Sequence, residues 1–338
     1  MHRLIFWGIV ILIVVLIGVI IDQLFWRTIR LMMKREVAMR VRLVMLTVTI
    51  VTIVGGCLYG HYVTRLRLGV NEVSISSDRL PASFDGFRIA QISDFHIDSF
   101  DPETEADFIS HLADEIRAAH PDIVVFTGDL VTLRSAQVLP WRQQLRHIAD
   151  QAGVPVYTIL GNHDYADYSN LEHHLRSRDR DSLCMIVKEC GWTLLNNEMV
   201  TLHRGADSIY LVGVENIGEP PFSTYGDLAG AMARSGGIQA ADSTYTILLS
   251  HNPTHWRREV LPSSSIDLML AGHTHAMQFR VLGWSPSKYA YPEYSGLYTE
   301  GQQHLYVNTG LGCTGPRVRI GVRPELSVIE LKCNLRSL

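Results

Sequence analysis

Residues 87–100 read FRIAQISDFHIDSF, and this stretch decides the fold. Its first seven residues are apolar enough to form a strand buried on both faces, which is typical of parallel sheets. Asp94 and His96 follow the strand, and residues two apart in an extended chain point the same way. The pattern therefore predicts a carboxylate and an imidazole that aim at one point beyond a buried strand. The alternative is a pair that only closes the strand end by hydrogen bonding.

Four more predicted strands end in polar residues of the same kind. They are residues 123–127, followed by Gly128-Asp129; 154–160, followed by Gly161-Asn162-His163-Asp164; 245–249, followed by Ser250-His251; and 266–270, followed by Ala271-Gly272-His273-Thr274-His275. In open α/β sheets the carboxyl ends of the strands share an edge, where loops form ligand sites. We therefore expect five segments to deliver one cluster of side chains.

The chain from residue 62 onward alternates short apolar runs with helix-like stretches, which predicts one α/β domain. An opening strand is expected within residues 63–75. Helices are expected over residues 101–119 and around 136–152, the first with Asp101 as its N-cap and Pro102 at its first position. Residues 199–203 and 209–214 predict a hairpin around Arg204-Gly205-Ala206-Asp207.

The predicted cluster combines two carboxylates, one amide and four or five imidazoles. Oxygen and imidazole ligands suit Mn, Fe(II), Zn and Co, and this set is too rich in imidazole for Ca or Mg alone. The single motifs differ in weight, because Gly-Asp occurs in any tight turn whereas two imidazoles two residues apart, His273 and His275, have few structural uses. Taken together and in order, the motifs predict a metal site.

Two long apolar runs lie in the first sixty residues. Residues 4–21 and 43–60 have no charged residue over eighteen positions each. At about 1.5 Å per residue each run spans roughly 27 Å, enough for a bilayer core. A cleaved signal peptide is the competing interpretation of the first run, but the run is longer than the usual core of about 7 to 15 residues and no Ala-x-Ala site follows. We predict two transmembrane helices, with residues 1–61 as a membrane anchor and 62–338 as a separate domain.

The segment between the runs, residues 22–42, is basic, with six Lys or Arg against two Asp or Glu. The positive-inside rule places such a short loop in the cytoplasm. We therefore expect a multi-pass protein of the cell (inner) membrane whose large domain lies on the extracytoplasmic side. One span plus an interfacial helix is the alternative, and it would put that domain on the opposite side.

Net charge and cysteine content add two expectations. The formal net charge of −4 gives no reason to expect nucleic acid as a partner. Cys57 lies in the second apolar run, and the other four cysteines, Cys184, Cys190, Cys313 and Cys333, suit either disulfides in an oxidising compartment or buried thiols. No CxxC pattern occurs, so a structural zinc or redox motif has no support.

The polar blocks resemble those of a known family. In this order and at these separations, DFH, GD, GNHD, a lone His and GHTH resemble the five motifs of the calcineurin-like metallophosphoesterase superfamily, over about residues 63–331. Residues 285–331 are similar to the closing segment of its membrane-associated or exported bacterial branch, which contains phosphodiesterase-like enzymes and lipid-A-precursor pyrophosphatases. The resemblance implies a four-layer α-β-β-α sandwich with two mixed sheets.

The resemblance also implies seven ligands for two divalent metal ions, with manganese as the first choice and iron, zinc or cobalt as alternatives. The first ion would be bound by Asp94, His96 and His275, the second by Asn162, His251 and His273, and both by Asp129. A bridging ligand needs two oxygens on one carbon, which an aspartate provides. The ions would lie about 3.5 to 4 Å apart, and a bridging hydroxide would attack phosphorus in line.

Two further residues receive catalytic roles from the resemblance. His163 would protonate the leaving group, and Asp164 would fix the tautomer of His163. The chain departs from the family pattern at one point, because Ala276-Met277-Gln278 replaces the Gly-Gly-Gln that follows the last metal histidine in many relatives. We expect Met277 to change the rim of the pocket while Gln278 keeps its register.

These features predict a membrane-anchored hydrolase whose substrate is a phosphodiester or phosphomonoester, lipid- or envelope-linked. One alternative is a cytoplasm-facing pyrophosphatase of a UDP-linked lipid A precursor, which needs the opposite topology because nucleotide sugars are cytoplasmic. An alternative of another class is a membrane-anchored binding or assembly protein with a degenerate domain, against which the complete ligand set argues. The sequence leaves the oligomeric state open.

Overall fold

The computed structural model describes residues 18–20, 22–28, 39–220, 222–233 and 244–334. The chain divides into two compact units, Met1–Thr64 and Arg65–Leu338. The first unit contains helix α1, Met39–Tyr62, which includes the second predicted span. The stretch Met39–Leu66 contains an 18-residue window with a mean hydropathy of 2.1, none of which is buried, so length and composition would let it cross a membrane.

The other predicted span, residues 4–21, lies outside the described residues except for 18–20, which are helical. Of the predicted basic loop, residues 22–28 and 39–42 are also helical, and the residues between them are not described. Two spans and their topology therefore stay a prediction, and one candidate membrane helix is what the described residues contain.

The second unit has two six-stranded sheets, with strands numbered in chain order. The first sheet runs Gly69–Ser77 (β1), Glu325–Cys333 (β12), Phe87–Ile92 (β2), Ile123–Phe126 (β3), Val156–Thr158 (β4) and Trp192–Leu194 (β5). The second runs Gly296–Glu300 (β10), Gln303–Val307 (β11), Leu268–Ala271 (β9), Thr246–Leu249 (β8), Asp207–Gly213 (β7) and Glu198–Arg204 (β6). Both sheets are mixed, because β12 is antiparallel to β2 in one and β10–β11 and β6–β7 are antiparallel in the other.

Hydrophobic cores fill the spaces on either side of each sheet. The longer α-helices of the described second unit are Ala106–Ala118 (α2), Arg142–Ala152 (α3), His173–Glu189 (α4) and Leu228–Ala233 (α5). Ile89 of β2 lies in the core between the sheets, whereas its neighbours Ala90 and Ile92 lie in the core beneath α2, α3 and α4. A third core joins the second sheet to α5. The layers are therefore α-β-β-α, and strands buried on both faces are apolar throughout.

Three predicted elements have different bounds in the structure. The opening strand begins at Gly69, because α1 and a turn at Thr64–Leu66 occupy the residues before it. Helix α2 begins at Ala106, and Asp101 instead accepts a hydrogen bond from the Glu103 N–H within a preceding turn. Helix α3 begins at Arg142 after a 3₁₀ stretch that contains a proline, which cannot donate the helical hydrogen bond.

Two other expectations are resolved by the same coordinates. The predicted hairpin is confirmed as β6 and β7, which pair antiparallel. All five cysteines lie in described residues and are free thiols, so the disulfide alternative is wrong.

The fold brings together the carboxyl ends of two groups of parallel strands. Strands β2, β3 and β4 are parallel neighbours in the first sheet, and β8 and β9 are parallel neighbours in the second. The five polar segments follow these five strands. They therefore meet where the two sheets face each other, instead of along the edge of one sheet.

Candidate metal centre

Asp94, His96 and His275 form a first buried group of metal-ligand type, with donor atoms within 4.8 Å of one another. The Nε2 atom of His275 lies 3.3 Å from Oδ1 of Asp94. The Nε2 atom of His96 lies 3.5 Å from Oδ2 of Asp129, which belongs to the neighbouring group. Three segments, following β2, β3 and β9, thus turn their donors toward one point.

Asp129, His251 and His273 form a second group with the same spacing. The Nε2 atom of His251 lies 3.2 Å from Oδ2 of Asp129, 3.2 Å from Nδ1 of His273 and 3.1 Å from Oδ1 of Asn162. Asn162 therefore faces the group with its oxygen. All seven residues predicted as ligands are brought together in these two groups.

Asp129 lies between the groups, and one of its oxygens faces both. Its Oδ2 faces His96 and His251, while its Oδ1 accepts a hydrogen bond of 2.8 Å from the N–H of His163. That each oxygen of Asp129 would bind a different ion stays a prediction. The second oxygen fixes the carboxylate to the loop that carries Asn162 and His163.

The two groups fit divalent cations. Donors held about 2.0–2.2 Å from a common ion lie about 3.0–3.5 Å from one another, which is the separation found here. The Nε2 atoms of His96 and His275 are buried and have no hydrogen-bond partner among the described residues. A buried polar atom without a partner is costly. A cation would remove that cost.

Burial keeps most of the imidazoles in the neutral form that binds metal. It lowers the pKa of His96 and of His273 to about 3, and that of His275 well below its usual value. Burial also lowers the pKa of His251, but the Asp129 carboxylate beside it more than offsets this and raises the pKa to about 9. Protons therefore compete with a cation mainly at His251.

The backbone around the donors adopts unusual conformations. Asp94, His96, Asp129, His273 and His275 all have positive φ, between 37° and 75°. Such angles are rare outside glycine and cluster at functional sites. Strand β2 ends at Ile92, so Asp94 and His96 converge through left-handed turns, and the expected strand alternation is not the cause.

Two glycines allow the loops to approach the carboxylates. A Cβ at Gly161 would collide with the Asp129 carboxylate, and one at Gly272 would collide with the Asp94 carboxylate and the Ser93 hydroxyl. Neither position accepts even alanine without a shift of the adjacent donor. These glycines belong to the GNHD and GHTH motifs for reasons of space.

His163 lies beside the metal groups, and its tautomer is fixed by a backbone carbonyl. Its Nδ1 donates to the Thr132 carbonyl oxygen at 2.7 Å, because a carbonyl only accepts. Asp164 was expected to play this part and does not. Its carboxylate accepts instead from the N–H groups of Asp129, Leu130, Val131 and Gly161, at 2.9 to 3.1 Å. Asp164 is therefore a positioning residue for the loops that carry the donors.

A cavity of about 470 Å³ opens over the centre. Its lining includes the candidate donors and His163, four other polar residues and five apolar residues. These are His96, Asp129, His163, His273 and His275; Thr274, Gln278, Tyr291 and Thr314; and Met277, Phe279, Pro316, Val318 and Ile320. Met277 lies at its rim, 45% exposed, as expected. Gln278 also lines the cavity, and its Nε2 donates to the carbonyls of Pro316 and Val318.

Sequence reasoning missed several residues that contact the site. Tyr291 Oη lies 3.0 Å from Nε2 of His273, and Tyr168 accepts from Asn162 Nδ2 at 3.1 Å while its ring stacks on His163. The buried Arg319 guanidinium lies 3.2 Å from Nδ1 of His275. None of these residues follows a strand end, which was the signal that found the ligands.

Comparisons with known proteins agree with this geometry. A model of the calcineurin-like phosphoesterases matches residues 87–277. The chain is 28% identical over 291 residues to an uncharacterized metallophosphoesterase, YkuE, of Bacillus subtilis, covering 82% of this chain and 90% of the relative. It is 28% identical over 291 residues to the UDP-2,3-diacylglucosamine pyrophosphatase LpxG of Chlamydia trachomatis, covering 74% and 84%. It is 27% identical over 252 residues to the phosphodiesterase YaeI of Escherichia coli, covering 72% and 82%.

The matched residues make up more than half of the chain and include every predicted ligand. Members of this family depend on metal ions for hydrolysis of phosphoesters. Because the match is this extensive, the chain belongs to the calcineurin-like phosphoesterase family and is a metal-dependent phosphoester hydrolase.

Proposed function

We propose that this protein is a membrane-anchored phosphoesterase with two metal ions, which cleaves phosphate esters carried by lipid or other envelope molecules. Residues 1–61 would be the anchor, with two spans, and residues 62–338 the extracytoplasmic catalytic domain. One observation carries the hydrolytic part: Oδ2 of Asp129 lies 3.5 Å from the His96 imidazole and 3.2 Å from that of His251, between two sets of donors. That position supports Asp129 as the bridging ligand.

The proposed ligands are Asp94, His96 and His275 for one ion, Asn162, His251 and His273 for the other, and Asp129 for both. Manganese, iron, zinc and cobalt all suit this set. When bound, such ions would neutralise phosphoryl oxygens and lower the pKa of a water nucleophile. Asn162 adds an oxygen donor without adding negative charge, which preserves the attraction for phosphate.

His163 is the proposed general acid. Since its Nδ1 donates to the Thr132 carbonyl, Nε2 is the nitrogen left to pass a proton to the leaving oxygen. The ring is held by stacking on Tyr168, with centroids 4.4 Å apart. The backbone N–H of His163 donates to Asp129, so the proposed acid is tied directly to the proposed bridging ligand.

The substrate is proposed to have an apolar part next to its phosphate. Phe279, Pro316, Val318 and Ile320 offer apolar contact in the same cavity as the donors. A lipid-borne phosphodiester or phosphomonoester would satisfy both kinds of contact. The resemblance to a phosphodiesterase, YaeI, supports the diester form.

A cytoplasm-facing pyrophosphatase acting on a UDP-linked lipid precursor is the second candidate. The 28% identity with LpxG favours it. A reporter fused after Leu338 separates the two, because a periplasmic signal fits the envelope ester and a cytoplasmic signal fits the nucleotide substrate. A binding protein without activity is disfavoured by the family and by the full set of donors.

The role of His163 is tested with the full chain in detergent, depleted of metal and reloaded with Mn²⁺, Fe²⁺, Zn²⁺ or Co²⁺. We expect hydrolysis of bis(p-nitrophenyl) phosphate or p-nitrophenyl phosphate. In His163→Ala we expect turnover to fall by at least about 100-fold, because general acids contribute about 10²–10⁴-fold. The metal content should equal that of the wild type.

His111→Ala is the matched control, since His111 is an exposed histidine on α2. It should leave both activity and metal content unchanged. Loss of metal from His163→Ala would contradict the assigned role and make His163 a ligand. Absence of hydrolysis with all four metals would contradict the proposed function itself.

A further inference from the structure

A short hairpin follows Phe279, one of the apolar residues that line the metal cavity. Val281 and Trp284 pair through two hydrogen bonds, Val281 N–H to the Trp284 carbonyl at 2.9 Å and Trp284 N–H to the Val281 carbonyl at 3.0 Å. The two residues between them, Leu282 and Gly283, both have positive φ, 50° and 80°. This is a two-residue turn of the primed type, which favours asparagine, aspartate or glycine at the position that Leu282 occupies.

Leucine is therefore an unfavourable residue for the positive φ at position 282. The residue is fully exposed, so no packing within the described chain offsets either the strained φ or the exposed apolar surface. Residues that violate a local rule without a benefit to the fold are expected at functional sites. The benefit of this leucine is to be sought outside the domain.

Aromatic side chains connect the tip of the hairpin to the cavity. Phe279 lines the cavity, and its ring centroid lies 6.3 Å from that of Trp284. Trp284 in turn lies 6.4 Å from Tyr289, which is 76% exposed. A series of ring contacts thus connects the cavity to the exposed hairpin.

The charges and ring types of this segment suit a lipid bilayer. Lys288 lies with its Nζ 5.0 Å from the ring of Tyr289, and residues 279–291 contain two basic residues and no acidic one. Tryptophan, tyrosine and lysine are the residues that prefer the membrane–water interface, and basic groups there attract anionic lipids. The domain begins at Arg65, directly after helix α1 ends at Tyr62, so the chain would hold it at the membrane that α1 crosses.

We propose that the hairpin Val281–Trp284 is a membrane-docking element that inserts Leu282 and Trp284 among lipid headgroups. A phosphate ester that is part of the bilayer would then reach the metal centre along the surface of Phe279, Trp284 and Tyr289, with its acyl part still in contact with lipid. This inference rests on the proposed membrane anchoring and narrows the proposed substrate to esters presented by a bilayer.

Photo-crosslinking of the full chain in nanodiscs of phosphatidylcholine and phosphatidylglycerol tests the contact without requiring activity. The photoreactive residue p-benzoylphenylalanine is placed at position 282, at the exposed control position 139 and at position 51 within α1. We expect lipid adducts at 51 and 282 and none at 139. Adducts at 51 without any at 282, or equal labelling at 139 and 282, would overturn the proposal. A crosslink from 282 to a second chain would assign the hairpin to dimerisation and overturn it as well.

Leu282→Asn tests the consequence for turnover in a variant that folds well, because asparagine suits the left-handed turn. The full-length variant in the same nanodiscs is given bis(p-nitrophenyl) phosphate in solution and hexadecyl p-nitrophenyl phosphate in the bilayer. We expect unchanged kcat/KM for the soluble ester and a loss of about tenfold for the bilayer ester, the order of effect of one buried leucine. An equal effect on both esters would overturn the proposal. If the wild type hydrolyses neither ester, the diester form of the proposed function fails while the crosslinks still decide the docking.

Discussion

The carboxylate of Asp164 holds together the two loops that carry Asp129 and Asn162. One of its oxygens accepts from Leu130 and Val131, and the other from Asp129 and Gly161. In Asp164→Asn an amide nitrogen replaces one oxygen and faces two N–H donors. We expect a loss of about 3 kcal/mol in stability, because each buried N–H left without an acceptor costs about 1–3 kcal/mol. Metal content should fall as well, since the loop of Asp129 is no longer fixed.

Asp179→Asn is the control for this prediction. Asp179 also accepts from a backbone N–H, that of Ser135 at 2.8 Å, but it belongs to α4 and contacts no predicted ligand. It should lower the melting temperature in detergent slightly and leave the metal content of the purified protein unchanged. Normal metal content in Asp164→Asn would show that the positioning role is wrong.

At the residue scale, sequence reasoning succeeds for the donors and fails for their supports. The predicted ligands share one mark, a polar side chain directly after an apolar strand, and all of them meet in the structure. The partner of His163 carries no such mark, because it is a backbone carbonyl 31 positions away, at Thr132. Asp164 follows His163 directly in the sequence and was therefore predicted as its partner. Its carboxylate instead accepts hydrogen bonds from backbone N–H groups.

Gln278 connects two elements of the cavity, the segment after the GHTH motif and the opposite wall. Its Oε1 accepts from the Thr314 N–H at 2.7 Å, and its Nε2 donates to the carbonyls of Pro316 and Val318. We expect Gln278→Met to raise KM for aryl phosphates several-fold at normal metal content, because the wall loses its three hydrogen bonds while the donors stay in place. Steady-state kinetics with metal analysis checks this.

Gln303→Met is a matched control on β11. Gln303 also donates its amide to backbone carbonyls, those of Ser264 and Ile266 at 3.2 and 2.9 Å, but it lies outside the cavity. A similar loss of thermal stability with an unchanged KM is expected. If both variants raise KM equally, the effect is general loosening and Gln278 has no particular role in the wall.

At the scale of elements, buried strands are predictable and special loops are not. Phe87–Ile92 was found within one residue because both its faces are buried, which makes the run apolar throughout. The predicted start of helix α2 is too early because Asp101 and Pro102 resemble a helix start, whereas they form a separate turn before Ala106. The left-handed run from His275 to Gln278 has no signal in composition, since tertiary contacts impose it on non-glycine residues.

For the whole molecule, the candidate metal centre is the place where both sheets contribute donors to one site. Asp94, Asp129 and Asn162 follow strands of the first sheet, and the three histidines His251, His273 and His275 follow strands of the second. Ions bound there would stabilise the folded state by linkage, since ligands that bind only that state raise its stability. The donors lie up to about 180 positions apart in the sequence, yet each follows the end of an apolar strand and could therefore be predicted. The groups that hold the donors in place share no such pattern.

The metal-free protein should have its highest stability near pH 6.5. Burial lowers the pKa of His96 and His273 to about 3 and that of His275 well below its usual value, so these imidazoles take up protons on unfolding as the pH falls below 6.5. Burial also lowers the pKa of His255 and of His304, which adds to this uptake. Burial raises the pKa of Asp94 and of Asp267 to about 6 and that of Asp164 to about 7, so these three carboxyls offset part of the uptake between about pH 4 and 6. His251, whose burial is outweighed by Asp129 so that its pKa rises to about 9, contributes stability that is complete below pH 6.5 and lost as the pH rises toward 9.

Melting temperatures of the full chain in detergent with a chelator, taken from pH 4.5 to 9, measure this dependence. The stability profile should have an acid limb below pH 6.5 and an alkaline limb above it, each due to named histidines. His96→Asn should flatten the acid limb, because one proton fewer is taken up on unfolding, and leave the alkaline limb as it was. His251→Asn should flatten the alkaline limb and leave the acid limb. If the two variants keep the wild-type profile, these buried imidazoles are not the groups that link folding to pH, and the electrostatic description of the metal-free centre is wrong.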